Sequence, residues 1–101
     1  MTDVGALPLL VQVRAHRVEM LAAVRRHRGR SVSIFGSVAR GDAHPGSDVD
    51  FLVDFEPSSS LFDLLHLKDD LEQIVGIPVD VVSSGALTTR DEHIRSEAVP
   101  L

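Results

Sequence analysis

Three aspartates lie in or beside apolar runs, where a carboxylate is costly to bury unless something compensates its charge. Asp48 and Asp50 stand at the head of the apolar run 49–53, and Asp80 lies inside the run 79–82. In a β-strand, residues two apart point the same way, roughly 6–7 Å apart along the chain. Asp48 and Asp50 are therefore predicted to share a face, and Asp80 could join them if its strand neighbours theirs.

These carboxylates suit a divalent-metal site that handles a nucleotide. Two metal ions in a phosphoryl-transfer site lie about 3.5–4 Å apart, so two carboxylates on one strand face can converge on such a pair. Ligands that are all oxygen favour Mg²⁺, with Mn²⁺ as a second choice. Each acid taken alone is better explained as an exposed aspartate, and the joint pattern is what favours the metal.

A Gly-Ser pair, Gly36-Ser37, follows the apolar run 32–35 and precedes a predicted short helix. Glycine permits close approach of a phosphate, and N–H groups at a helix start attract it. The Ser37 hydroxyl can add a hydrogen bond, and Arg40, one turn on, could neutralise phosphate charge. Such a pair alone usually marks a turn, and the segment is neither a Walker loop nor a Rossmann fingerprint.

The elements that must position these residues follow from apolar periodicity and from turn residues. One long helix is predicted, with Gly29 as its stop, and a second is predicted to begin at a Ser60 cap and to end at Gly76. The predicted helices are 9–28, a short one within 36–41, 61–75 and 91–98, and the predicted strands are 31–36, 48–55 and 78–82. The helix predicted over 61–75 is expected to bury Leu61, Leu64, Leu65, Leu71 and Val75. This order predicts an α+β fold, a small mixed β-sheet with helices packed mainly on one face.

The composition narrows the function classes. The 101 residues are expected to form one domain, 1–101. The absence of cysteine excludes disulfides and thiol chemistry, and the net charge of −5 argues against direct nucleic-acid binding. The chain shows no signal-peptide pattern and no membrane-spanning apolar stretch, so a soluble cytoplasmic protein is expected.

The run Gly36-Ser37-Val38-Ala39-Arg40-Gly41, five residues, and then Ser47-Asp48-Val49-Asp50 resembles the signature of the DNA polymerase β-type nucleotidyltransferase superfamily. The short chain is similar to its minimal nucleotidyltransferase branch, which includes the MntA-like antitoxins encoded beside HEPN-domain toxins. The resemblance extends to the later strand acid, Asp80, and to the closing residues 97–101.

The resemblance implies roles for the acids. Asp48 and Asp50 would hold two Mg²⁺ ions, and Asp80 would complete one metal site and help deprotonate the acceptor. A hydroxyl would attack the α-phosphorus of ATP, so that AMP is transferred and pyrophosphate is released. In the antitoxin branch the acceptor is a tyrosine of the partner HEPN ribonuclease, which is thereby disabled.

The resemblance also implies a nucleotide-binding set. Gly36 and Ser37 would hold the triphosphate, Arg40 would assist with phosphate or acceptor, and Ser47 would shape the turn into the acids. Because larger members carry a second domain for their acceptor, a protein partner is expected to deliver it here, in a hetero-oligomer with the toxin. Two alternatives stay open: an antitoxin that acts by steric binding without catalysis, and a nucleotidyltransferase subunit that modifies a small molecule.

Overall fold

The computed structural model describes residues 8–44 and 46–101. Residues 1–7 of the expected domain and Pro45 of the predicted loop lie outside the described residues. Two single-turn 3-10 segments, Ser84–Ala86 and Thr89–Asp91, lie between the third strand and the last helix. The helices are α1 (Leu9–Arg14), α2 (Arg17–Arg26), α3 (Gly36–Arg40), α4 (Leu61–Val75) and α5 (Glu92–Glu97), and the strands are β1 (Gly29–Phe35), β2 (Val49–Phe55), β3 (Val79–Ser83) and β4 (Val99–Pro100).

The strands form one mixed sheet in the order β3-β2-β1-β4. Strands β2 and β3 are parallel, with Asp50 opposite Asp80, whereas β1 runs antiparallel to β2, with Phe35 opposite Asp50. Strand β4, predicted only as a tail, pairs with β1, where Ile34 lies opposite Val99. Two residues are too few for a period-two pattern to be recognised in the sequence. The predicted α+β class with a small mixed sheet is confirmed.

The core lies between one face of the sheet and the helices α2 and α4. On β2, Val49, Phe51 and Val53 are fully buried, and they alternate with residues that are half-exposed. Met20 of α2 and Leu71 of α4 are also fully buried in this core. Because strand side chains alternate, burying one face of β2 leaves its acids on the other.

The single helix predicted over 9–28 is wrong, because the chain breaks it into α1 and α2. His16 has a φ of −103°, and its N–H donates to the carbonyl of Val13 at 3.0 Å, three residues back. Gly29 is not the helix stop either. Arg28 adopts the left-handed φ of 65°, and Gly29 opens β1, where a Cβ would lie 3.0 Å from the Val24 carbonyl oxygen.

The bounds predicted for α4 are confirmed, and so are its two ends. Ser60 and Asp63 form a capping box, in which the Ser60 N–H donates to Asp63 Oδ2 at 2.9 Å. Gly76 ends the helix in the left-handed conformation, with a φ of 74°.

The apolar stripe predicted for α4 is partly wrong, because the buried side of the helix is centred on Leu67 and Leu71. Leu67 and Leu71, one turn apart, are fully buried, whereas Leu61 is 69% exposed and Leu65 44% exposed. Each residue turns a helix by about 100°, so Leu65, six residues before Leu71, points roughly 120° away from it around the helix axis. No helix within residues 8–44 and 46–101 has both the length and the apolar character needed to cross a membrane.

Candidate active site

Asp50 and Asp80 lie side by side at one end of the sheet, on the face that is turned away from the core, and Asp48 is close to them in the chain. Asp50 and Asp80 are direct partners on parallel neighbouring strands, which run about 4.8 Å apart. Asp50 is half-buried and Asp80 is exposed. Asp48 directly precedes β2 and is exposed. The adjacency of β2 and β3, on which the sequence argument depended, is therefore present.

Asp50 is the most perturbed member of the group. Burial raises the pKa of Asp50, and the negative charges of Asp80 and then Asp48 raise it further, while Arg40 opposes them. Both neighbouring acids are therefore close enough for their charges to penalise ionised Asp50. A cation placed among the three carboxylates would reverse that penalty.

The residues fit a hard divalent cation in donor type and in charge. All three side chains offer carboxylate oxygens, which Mg²⁺ and Mn²⁺ prefer. Across the described residues, however, no three acidic, histidine or cysteine side chains are already close enough to form a metal site. Asp48 and Asp80 are exposed, so both side chains have room to change rotamer and turn toward an ion.

Gly36, the first residue of the Gly-Ser turn, lies directly against the Asp50 carboxylate. It follows Phe35, the β1 partner of Asp50, and adopts a φ of 74°. A Cβ at this position would overlap with Asp50 Oδ2 and would lie 3.3 Å from Asp50 Cγ. The glycine is therefore required both for its backbone conformation and for the close approach of the carboxylate. Ser37, in the first turn of α3, accepts the N–H of Asp42 through its carbonyl at 3.1 Å.

Arg40 is held between two carboxylates. Its Nε donates to Asp42 at 3.2 Å and one terminal nitrogen donates to Glu97 at 3.2 Å. Asp42 first and then Glu97 raise the pKa of the Arg40 guanidinium, which therefore remains a cation. Nothing in the sequence indicated that Asp42 or Glu97 contacts Arg40, although Glu97 opens the closing run that the resemblance includes. The nearby Asp42 could have been suspected from its spacing, but no local pattern indicates a contact with a residue on α5.

Ser47 closes the turn that leads into Asp48. Its Oγ accepts the N–H of His44 at 2.9 Å, and its own N–H donates to the His44 carbonyl at 2.9 Å. This reciprocal pair gives Ser47 the contacts that a turn-shaping residue needs. Its side chain is thereby engaged with the loop.

Comparison with known proteins gives one family and several relatives. Residues 18–99 match the family described as nucleotidyltransferase domain. The protein adenylyltransferase MntA of Thermococcus cleftensis is 41% identical over 73 residues, which cover 72% of this chain and 71% of that protein. A solved structure described as a minimal nucleotidyltransferase has a TM-score of 0.82 and 44% identity, covering 91% of this chain and 95% of its own.

A more distant solved structure is a toxin–antitoxin with AMP-PNP. Its TM-score is 0.62 at 21% identity, and the match covers 72% of this chain and 60% of that one. At this identity the likeness is one of fold. These likenesses agree with the resemblance predicted from the Gly-Ser turn and the paired acids.

Proposed function

Because this chain belongs to the nucleotidyltransferase family, we propose that it transfers AMP from ATP to a hydroxyl, with a tyrosine of a HEPN ribonuclease toxin as the acceptor. The observation that carries the proposal is the direct pairing of Asp50 with Asp80, with Asp48 beside them and Gly36 against Asp50. The name of the Thermococcus relative, protein adenylyltransferase, supports a protein acceptor. The fold shared with a toxin–antitoxin structure supports a toxin partner. We propose that the two proteins form a hetero-oligomer in the cytoplasm.

The strand order gives the reaction an axis across the sheet. In phosphoryl transfer, the attacking and leaving oxygens lie roughly in line on opposite sides of the phosphorus. The Gly-Ser turn follows β1, Asp50 lies on the central strand β2, and Asp80 lies on the edge strand β3. We therefore assign the β- and γ-phosphates to the Gly36-Ser37 side, the α-phosphate to Asp50 and the acceptor to Asp80.

The reaction makes one phosphorus–oxygen bond and breaks one. The acceptor oxygen bonds to the α-phosphorus while the bond from that phosphorus to the α–β bridging oxygen breaks, and pyrophosphate leaves with the electron pair. The acceptor proton passes to the Asp80 carboxylate and from there to water. Asp48, Asp50 and Asp80 would hold two Mg²⁺ ions, or Mn²⁺, which when bound neutralise phosphate charge and polarise the reacting oxygens.

The remaining nucleotide contacts are assigned to the turn and to α3. The Ser37 hydroxyl can donate to a phosphate oxygen, and Gly36 allows the phosphate to approach the backbone. Arg40 would meet phosphate or acceptor by exchanging one of its two carboxylate partners, Asp42 or Glu97. Ser47 would serve by fixing the turn before Asp48. We also propose that residues 1–101 act as one domain, since the described elements share one hydrophobic core.

The direct test combines the protein with ATP, Mg²⁺ and the product of the adjacent gene, which we expect to be a HEPN protein. The intact mass of the partner should rise by whole AMP units, and peptide mapping should locate them on tyrosine. A folded, partner-binding preparation that adds no AMP would contradict the proposal. Transfer to a small hydroxylated molecule without the partner would instead identify a subunit with a small-molecule acceptor.

A matched variant separates catalysis from steric neutralisation. Asp50→Asn keeps the size of the side chain and removes the metal-binding charge, and Asp48→Asn does the same at the second position. If transfer is the mechanism, both variants should bind the toxin but fail to neutralise its ribonuclease activity. Full neutralisation by both variants would mean that the antitoxin works by binding alone.

A further inference from the structure

A second feature of the open sheet face is a cavity of about 290 Å³ that begins one same-face residue beyond Asp50. Leu52, two residues after Asp50 on β2, forms part of its wall, and Ser33 lies opposite Leu52 on β1. The chain therefore presents a polar hollow next to the acids. The residues that line it are Ser31, Ser33, Leu52, Asp54, Ser84 and Arg95.

The walls of this cavity are held by hydrogen bonds. Asp54 accepts the Ser84 hydroxyl at 3.1 Å and pairs with Arg30 at 3.3 Å. Arg95 of α5 donates to the Ser84 carbonyl at 2.8 Å. A guanidinium carries five N–H donors and this bond uses one of them. The cavity therefore combines serine hydroxyls, one apolar side chain, the Asp54 carboxylate and a fixed cationic donor.

The position of the cavity relative to the reaction axis indicates which part of the substrates it can take. Its strand residues come from β1 and β2, the strands assigned to the phosphates, while the acceptor is assigned to Asp80 on β3. The ribose oxygen stays bonded to the α-phosphorus throughout the reaction and lies roughly perpendicular to the line of attack. Along β2, that direction runs from Asp50 to Leu52, a step of roughly 6–7 Å, which a ribose can span.

We infer that this cavity binds the nucleoside of the nucleotide substrate, with the base or ribose against Leu52 between Ser33 and Arg95. The inference rests on the proposed function, since it takes the α-phosphate to lie at Asp50. Arg95 donates to acceptor atoms of the base or ribose, and the serine hydroxyls donate or accept. Leu52 gives the nucleoside an apolar contact in a chain that has no Tyr or Trp.

The test measures binding of ATP and of inorganic tripolyphosphate, each with Mg²⁺ and without any acceptor, by calorimetry. Ser33→Leu fills the cavity, whereas Ser33→Ala leaves it open and serves as the matched control at the same position. We expect Ser33→Leu to raise the Kd for ATP about tenfold or more, which corresponds to about 1.4 kcal/mol. The Kd for tripolyphosphate should stay within about twofold in both variants. Ser33→Ala, which removes only the hydroxyl, should raise the Kd for ATP less than Ser33→Leu does.

A second pair of variants tests the cation independently. Arg95→Ala should weaken ATP but not tripolyphosphate, while Arg90→Ala, an exposed arginine outside the cavity, should change neither. Melting curves establish that each variant is folded. If Ser33→Leu and Arg95→Ala bound ATP as tightly as wild type, with tripolyphosphate still bound, the inference would be overturned and the proposed function would stay intact.

Two other outcomes would also overturn the inference. A raised KM for the protein acceptor with unchanged ATP affinity in Ser33→Leu would assign the cavity to the acceptor. Failure of wild type to bind both ATP and tripolyphosphate would remove the proposed nucleotide site itself and the inference with it.

Discussion

The two faces of the central sheet differ sharply although the same strands build both of them. On the helix-covered face of β2, Val49, Phe51 and Val53 have no exposed surface. On the open face, Asp50 and Asp54 alternate with them and remain half-exposed. One face supplies the stability of the fold, and the other presents charge to solvent and to ligands.

This difference between the two faces explains how so small a protein can position its acids accurately. A slip of one residue in the pairing of β2 would put Phe51 in water and Asp50 in the core. The cost of that exchange fixes the register, and the register places Asp50 opposite Asp80. The apolar face therefore positions the acidic face without touching a ligand. Substitutions on the two faces should therefore change the free energy of unfolding by different amounts.

The largest effect is expected from Phe51→Ala. Removing a fully buried phenylalanine typically costs about 3–5 kcal/mol, a large part of the stability of a small domain. Leu52→Ala, on the open face of the same strand, should cost only about 1 kcal/mol, because Leu52 is half-exposed. Urea unfolding followed by circular dichroism measures both. Equal costs would mean that the two faces are not divided as described.

The second-largest loss of stability is expected at Gly36, which follows β1 and lies against Asp50 on the open face. Gly36 and Gly76 share a φ of 74°, but only at Gly36 would a Cβ meet Asp50. Gly76→Ala should cost about 1–2 kcal/mol for the left-handed conformation alone. Gly36→Ala should cost more, because the Asp50 carboxylate must also move, and it should abolish AMP transfer.

Thermal unfolding and a transfer assay on the two glycine variants measure this difference. The Gly76→Ala variant controls for backbone strain, since it lies outside the site and has no neighbour within 4 Å of the added carbon. If both variants lose the same stability and both retain transfer, the close approach of Gly36 to Asp50 has no functional role.

The division between the faces explains which features could be predicted from the sequence. The alternation of Val49, Phe51 and Val53 with the acids is a period-two pattern, so the strand and its two faces were predictable. The paired acids and the Gly-Ser turn, at their spacing, indicated the family and the fold, and both are confirmed. Their roles as ligands of metal and nucleotide stay predictions.

The features that could not be predicted depend on contacts between distant segments. Glu97 reaches Arg40 across 57 residues, and the short strand β4 exists only because β1 offers it an edge. The break at His16 also had no local mark, since the apolar spacing continues through it. Such features follow from how elements dock, which periodicity along the chain does not report.

The smallest effect, and the one with the most informative sign, is expected from Asp50→Asn without metal. The folded-state pKa of Asp50 is raised, first by burial and then by Asp80 and Asp48, so the ionised carboxylate destabilises the folded protein. That cost is absent below the ordinary pKa and develops as pH rises through the raised folded value. Asp50→Asn should therefore melt at or above wild type near neutral pH, and the difference should shrink as the solution is acidified.

Asp54→Asn is the matched control for this sign, because Asp54 lies on the same face of β2 but pairs with Arg30 at 3.3 Å. Its variant should melt at or slightly below wild type, since an exposed ion pair contributes about 0–1 kcal/mol. Differential scanning calorimetry between pH 4 and 7, in chelator, measures both variants. If Asp50→Asn melted clearly below wild type at neutral pH, the acids would be stabilising the fold rather than straining it. The open face would then belong to the architecture as much as the covered one does.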